Sequence, residues 1–189
     1  SSTFGFGLLD AYKMVRYARK WPGLPSSASC TVAESGSWSL PSTLQASASS
    51  SDCASIAYLN HVEVSLNLEY TFRGHIALVL VSPSDTRSVL LPGRYRDVYN
   101  NTLNWTVDCV QFWGEKVQSG GNSEWTLEFS KPFNYNTSGT LYDWSITFHG
   151  WTEVPTTPDI STLDKPGTTT VPWPSGDYTT TDHHYTTPD

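Results

Sequence analysis

Serine, histidine and acidic side chains are the groups from which a hydrolytic triad is built, and the chain contains all three. His61 and His75 fall in or beside segments with strand-like patterns. A nucleophilic serine of the α/β-hydrolase type needs a sharp turn, which the pattern G-x-S-x-G marks, and the sequence lacks that pattern. We therefore expect no complete hydrolytic site, and we predict that His61 and His75 are ordinary edge or turn residues.

Metal-binding motifs with fixed spacing are also absent, since the sequence has no H-E-x-x-H, no C-x-x-C and no EF-hand loop. At the pair His183-His184, in a polar tail, we expect no more than adventitious metal binding. Four acidic residues could meet around calcium at one end of a sandwich: Asp108, Glu115, Glu124 and Asp143. We favour the interpretation that they are scattered, solvated carboxylates. No metal ligand is therefore assigned.

Tryptophan is frequent, with eight in the chain. Trp125 and Trp144 fall in strand patterns, so we predict that both lie in the core. Trp105 and Trp113 lie near turn residues, where exposed aromatic rings bind sugars or a partner surface. For these two we favour internal packing, and a sugar-binding role stays open.

Composition excludes several classes of protein. The 189 residues carry 18 acidic and 11 basic side chains, a net charge of −7, and only 15% of them are charged. Nucleic-acid binding needs clustered Lys and Arg, so we expect no nucleic-acid partner. No apolar run reaches the roughly 20 residues of a membrane span. A membrane association is expected only if an anchor follows Asp189.

Cysteines and glycosylation acceptors indicate a secretory route. Three N-x-[ST] acceptors begin at Asn100, Asn104 and Asn136. The polar stretch between Cys30 and Cys53 suits a disulfide-closed loop. This leaves Cys109 as a buried thiol or an intermolecular partner.

Residue periodicity predicts one helix followed by strands. Over 8–20, the apolar residues that recur at helical spacing are Leu8, Ala11, Tyr12, Val15 and Ala18. Asp10 lies in the first turn and basic residues lie in the last. From Val62 to Tyr70, apolar and polar residues alternate, which predicts a half-buried strand. The continuous apolar run 76–81 predicts a strand covered on both faces. Further short strands between Gly, Pro, Asn and Ser clusters favour an antiparallel sandwich or jelly roll.

Composition changes again near Thr152. Residues 152–189 are rich in Ser, Thr and Pro, with few aliphatic side chains, so they bury too little apolar surface to offset the entropy of ordering. We predict a disordered stalk, either O-glycosylated or a bare linker.

Taken together, these segments resemble the C-terminal part of the kexin and furin family of subtilisin-like proprotein convertases. Residues 4–11, followed by the basic helix, resemble the closing helix of the catalytic domain. The stretches similar to the family's P domain, also called Homo B, are Leu59-Asn60-His61-Val62, Arg73-Gly74-His75 with the following run to Pro83, Thr86 to Leu91, Asn104-Trp105, Phe112-Trp113-Gly114-Glu115, Glu124 to Glu128, and Gly139 to Gly150.

The resemblance implies a mainly β fold, a galactose-binding-like jelly roll with one N-terminal helix. It divides the chain into 1–25, the end of a peptidase domain; 26–151, the P domain; and 152–189, the stalk. It also implies a disulfide between Cys30 and Cys53. Many members have Arg-Gly-Asp where this chain has Arg73-Gly74-His75, which argues against an integrin-binding tripeptide.

The resemblance further implies a serine endoprotease that depends on calcium and cleaves secretory precursors after paired basic residues. Its implied location is the secretory pathway: the Golgi or trans-Golgi network, vesicles or the extracellular space. The calcium sites, the catalytic triad and the oxyanion-hole Asn are expected outside this chain, whose partner is then its own N-terminal catalytic domain. The chain itself is expected to be inactive and to stabilise and regulate that domain. A secreted carbohydrate-binding jelly roll is the competing hypothesis.

Overall fold

The computed structural model of the chain describes residues 8–40 and 43–153, and for 43–47 and 101–103 it describes the backbone alone. One helix, α1, covers Ala11–Arg19. Two 3-10 turns cover Ser51–Cys53 and Arg73–His75. Eight strands follow the helix: β1 Ser27–Leu40, β2 Thr43–Ser49, β3 Tyr58–Tyr70, β4 Ala77–Val81, β5 Arg87–Leu91, β6 Asn101–Cys109, β7 Glu124–Ser130 and β8 Gly139–Trp151.

The strands form two four-stranded antiparallel sheets. The first sheet has the order β1-β8-β3-β6 and the second the order β2-β7-β4-β5. Successive strands therefore cross between the sheets, except β4 and β5, which pair with each other, and this is the strand arrangement of a jelly roll. The predicted fold class is confirmed.

The core lies between the two sheets and is built by strands that alternate. On β3, Val62, Val64 and Leu66 point inward and are buried, while the intervening residues face the outer surface. Trp125 on β7 and Trp144 on β8 are 0% and 1% exposed, so the prediction that both lie in the core is confirmed. Alternation with a period of two puts one apolar face of each sheet against the other.

The prediction that residues 76–81 form a strand covered on both faces is wrong. Leu78 and Leu80 are buried, but Ala77, Val79 and Val81 are only partly covered. The outer face of the second sheet has no further layer over it among the described residues. The continuous apolar run is therefore an ordinary strand with one buried face.

Most of the polar stretch between Cys30 and Cys53 is strand. It forms the edge strands β1 and β2, which pair with β8 and β7 respectively. The expected disulfide is present in the structure, with the Cα atoms of Cys30 and Cys53 5.6 Å apart, and Cys109 is free and buried. The bridge ties edge strand β1 to the turn that follows β2.

Helix α1 begins three residues later than the helical pattern suggests. Asp10 precedes the helix as its N-cap, and its carboxylate accepts a hydrogen bond of 3.0 Å from the backbone N–H of Lys13. Leu8, which we expected on the apolar face of the helix, is fully exposed. No residue of α1 is buried, so the helix leaves its apolar face uncovered in this chain.

Most of the predicted stalk, from residue 154 onward, lies outside the described residues and stays a prediction, as does the division into three domains. Thr152 still donates a backbone hydrogen bond to Ser26 beside the last strand. None of the helices in the described part of the chain is long and apolar enough to cross a membrane.

Candidate functional site

Three connections converge at the end of the sandwich where β3, β5 and β7 finish: the turn Arg73–His75 with residues 92–100 and 131–138. Backbone hydrogen bonds join the first two of these connections. Gly74 donates to the carbonyl of Asp97 at 3.0 Å, and Arg94 donates to the carbonyl of Gly74 at 2.6 Å. We call this end of the domain the loop cluster.

Asp97 is the electrostatic centre of the loop cluster. Arg73 Nε lies 2.8 and 3.0 Å from its two carboxylate oxygens, and Arg94 Nη2 lies 2.9 Å from Oδ2. Only 16% of the Asp97 side chain is exposed. The hydrogen bonds from the Arg73 guanidinium, followed by those from Arg94, hold the pKa of the Asp97 carboxyl below its ordinary value. The carboxylate thereby links the two connections through charge-assisted bonds.

Gly74 permits this close approach. A Cβ atom at position 74 would lie 2.4 Å from the carbonyl oxygen of Arg94 and 2.5 Å from that of Asp97. Both contacts are with backbone atoms, so no side-chain rotation would relieve them. The tripeptide Arg73-Gly74-His75 is therefore a packed turn, with Gly74 and His75 buried, and does not project as an adhesion loop.

His75 lies in the turn Arg73–His75, as predicted, and it is also buried, with 1% of the residue exposed. Its ring lies 4.8 Å from that of Tyr135 and 5.3 Å from that of Phe133, measured between centroids. Its Nε2 is 3.1 Å from the carbonyl oxygen of Tyr95. His75 thus joins all three connections, which is a structural role.

Outside this packed interior, the loop cluster presents an exposed aromatic surface. Tyr95 and Tyr99 are 57% and 70% exposed, and Val98 is 51% exposed beside them. The Tyr135 hydroxyl donates a hydrogen bond of 2.7 Å to the Tyr95 hydroxyl, which holds these two side chains together. Exposed aromatic side chains held on a rigid base are a usual feature of surfaces that bind another protein.

The sequence profile described as "Proprotein convertase P-domain" matches residues 59–148, from β3 to β8 and including the whole loop cluster. Proprotein convertase subtilisin/kexin type 6 of Homo sapiens is 36% identical over 82% of the chain. Residues 59–148 form a P domain of the proprotein convertase family. The predicted resemblance is confirmed.

Other relatives of the P domain are also named as proteases. Furin-like protease 1 of Drosophila melanogaster is 34% identical over 97% of the chain, and endoprotease bli-4 of Caenorhabditis elegans is 34% identical over 79% of it. The chain spans 17% of the human relative, 14% of the fly protein and 17% of the nematode protein. It corresponds to a small part of these proteases.

A solved structure supports the fold. The serine protease of Aeromonas sobria superposes on 79% of the P-domain chain with a TM-score of 0.62 and 21% identity, and the match covers 31% of that protein. At this identity the likeness extends to the fold.

Two tryptophans of the P domain depart from our expectation of internal packing. Trp105 is 41% exposed, because β6 is an edge strand with a neighbour on one side only. Trp113 is 44% exposed in the turn after β6, where it packs edge-on against Trp151 at 5.9 Å. Both indole rings are therefore available to solvent in part.

The acidic residues considered for calcium do not assemble in the described part of the P domain. Glu115 accepts a hydrogen bond from the Ser82 hydroxyl at 2.8 Å, and Asp143 accepts one from the Asn67 amide at 2.9 Å. The metal-ligand atoms that do lie close together, all within 4.8 Å of one another, belong to His61, Glu63 and His149. Sequence reasoning missed this group.

Asn100, Asn104 and Asn136, the three glycosylation candidates, are exposed. Asn104 lies on β6 and the other two lie in loops. Thr137 of the third acceptor is buried, with its hydroxyl 3.2 Å from that of Tyr70. An exposed side chain is what a bulky glycan requires, and glycosylation itself stays a prediction.

The Asp97 carboxylate predicts a pH dependence of stability. Because its folded pKa is lowered, its contribution is present above the unfolded pKa, about 3.9, and is lost as the pH falls through the folded pKa. We expect Asp97→Asn to lower the urea midpoint at pH 7 and to lower it much less at pH 3. Asp52→Asn, an exposed carboxylate, is the control and should change little. An equal deficit for Asp97→Asn at both pH values would contradict this role.

Proposed function

We propose that this chain is the C-terminal regulatory part of a secretory-pathway, calcium-dependent, subtilisin-like serine endoprotease that cleaves precursors after paired basic residues. The P domain docks on the catalytic domain of this parent protease, holds it in its active fold and tunes its response to pH and calcium. The catalytic triad and the calcium sites belong to the parent's catalytic domain. The family match and the relatives named as proprotein convertases and furin-like proteases support this proposal.

The observation that carries the docking proposal is the uncovered helix in front of the sandwich. Tyr12 and Val15 on its apolar face are 44% and 52% exposed, and no helix residue is buried. A fully buried Val or Leu contributes roughly 1.5–3 kcal/mol relative to an exposed one, so covering this face would stabilise the helix substantially. An isolated helix of this length is only marginally stable in water. A partner that covers the face therefore accounts for the helix.

Peptidase assays on peptides with paired basic residues test this proposal. The isolated chain should be inactive, and Val15→Asp in the parent protease should reduce secreted activity at least about tenfold, because a carboxylate would be buried at an apolar interface. Val110→Asp is the matched control, since Val110 is 69% exposed on the sandwich. Wild-type activity of the Val15→Asp protease would contradict the docking of this helix.

Carbohydrate binding is the second candidate, and the partial exposure of Trp105 and Trp113 favours it. A glycan-binding screen with the isolated chain and its Trp105→Ala and Trp113→Ala variants decides the matter. Specific glycan binding that is lost on either substitution would support a sugar-binding module. A chain that binds no glycan leaves the regulatory function as the conclusion.

A further inference from the structure

Two histidines and a glutamate meet on the outer face of the first sheet. His61 and Glu63 are two residues apart on β3, so both side chains point to the same face. His149 on β8 pairs with His61, and their rings are stacked 4.3 Å apart with planes inclined by 8°. His149 Nε2 lies 3.2 Å from Glu63 Oε2. One ligand atom from each residue lies within 4.8 Å of the others.

A β-bulge places His61 in this position. Leu59 pairs with Gly150 and His61 pairs with His149, so Asn60 is an extra residue on β3. Leu59 and Val62 are three residues apart, and the bulge lets both enter the core. His61 is thereby turned outward opposite His149, and bulges commonly aim a side chain in this way beside functional sites.

We propose that His61, Glu63 and His149 form a binding site for a zinc-class transition-metal ion. Two imidazoles and a carboxylate are a ligand set that zinc takes in proteins, and three protein ligands leave a fourth position for water or a partner's ligand. Zinc bonds of about 2.0–2.1 Å place tetrahedral ligand atoms roughly 3.3 Å apart. The 3.2 Å separation of His149 Nε2 and Glu63 Oε2 already matches that spacing.

The charges around the three residues favour a cation. Asp108 on β6 pairs directly with Glu63, so two carboxylates stand opposite each other on this face. Like charges in that position destabilise a sheet, and a bound divalent ion relieves the repulsion. Elsewhere on the same face, uncharged hydroxyl pairs such as Thr31–Thr147 and Ser65–Thr106 join the strands.

The three side chains are accessible from solvent. The His149 side chain is 29% exposed and the Glu63 side chain is 41% exposed, and His61 is half-buried beside them. An ion can therefore enter without opening the core. Once bound, it would join β3 to β8 across the centre of the first sheet.

Zinc titration by calorimetry tests the proposal on the full chain. The chain has five histidines, so His183→Ala/His184→Ala removes the tail pair and leaves His61, His149 and the buried His75. In this background we expect one zinc per chain. Adding His61→Ala/His149→Ala should weaken binding at least about a hundredfold, and adding Glu63→Gln at least about tenfold, because each removes ligands.

Glu69→Gln is the matched control for the loss of one carboxylate. Glu69 is on the same face of β3, six residues or about 20 Å from Glu63, so zinc affinity should stay within twofold. Cobalt provides a spectroscopic readout, because a tetrahedral site gives visible absorption bands that Glu63→Gln should alter. Circular dichroism checks that each variant is folded. Zinc affinity unchanged by His61→Ala/His149→Ala, or no zinc bound in the background chain, would overturn the proposal.

Discussion

Replacing Trp125 with alanine is expected to lower the free energy of unfolding of the sandwich by about 3–5 kcal/mol. The side chain is 0% exposed, and its ring contacts those of Phe112 and Phe148 at centroid distances of 5.0 and 5.1 Å. Its Nε1 donates a hydrogen bond of 3.0 Å to the carbonyl oxygen of Val117. The substitution therefore opens a cavity and removes one of the two hydrogen bonds that this buried carbonyl accepts; the other comes from the Ser50 hydroxyl at 3.0 Å.

Urea denaturation followed by circular dichroism measures the effect. Trp113→Ala is the matched control, since this ring is 44% exposed and its loss should cost about 1 kcal/mol or less. Trp125→Phe separates the two contributions of Trp125, because phenylalanine refills much of the space without donating to Val117. Equal losses for Trp125→Ala and Trp113→Ala would contradict the placement of Trp125 at the centre of the core.

Removing the Cys30–Cys53 disulfide is expected to lower the free energy of unfolding by about 3 kcal/mol, because the bridge closes a loop in the unfolded chain. The two cysteines are 23 residues apart, and their Cα separation of 5.6 Å suits a disulfide. The bridge also anchors edge strand β1, which has a neighbour only in β8. Cys30→Ala/Cys53→Ala should therefore unfold at lower urea than the wild-type chain.

Cys109→Ala is the control for this comparison. Cys109 is free, and its Sγ lies 3.1 Å from the Ser88 hydroxyl; burial is the main cause that raises the pKa of its thiol. Its replacement should destabilise the domain by about 1 kcal/mol, less than the loss of the bridge. Peptide mapping without reduction that linked Cys109 to Cys30 or Cys53 would contradict the pairing.

Strands with a strong local pattern could be predicted from the sequence. The alternation from Val62 to Tyr70 marks β3 because every second residue must enter the core. Helix α1 was predictable for the same reason, with a period of 3.6 in place of two. The residue at which the helix begins was not predictable, because Asp10 caps the helix and leaves Leu8 outside it.

Edge strands were not predictable from the same pattern. β1 and β2 are rich in Ser and Ala, and such short side chains give little contrast between an inner and an outer face. Pairing with β8 and β7 makes them strands, and the paired residues are 75 to 124 positions apart in the chain. Tertiary pairing here outweighs local preference.

Which residues meet in the loop cluster and in the proposed metal site also depends on contacts between distant parts of the chain. His61 and His149 meet only because β3 pairs with β8, and a bulge at Asn60 selects the face. His75 is buried because residues 92–100 and 131–138 fold over its turn. A single sequence names these histidines but does not show which residues surround them.

Amide hydrogen exchange at residues 11–19, measured in the isolated chain and in the parent protease, tests the docking of the P domain most directly. We expect these amides to exchange rapidly in the isolated chain, because no helix residue is buried. In the parent protease, where we propose that the catalytic domain covers the apolar face, the same amides should be protected. Strong protection in the isolated chain would show that the helix packs on its own sandwich and would contradict the account.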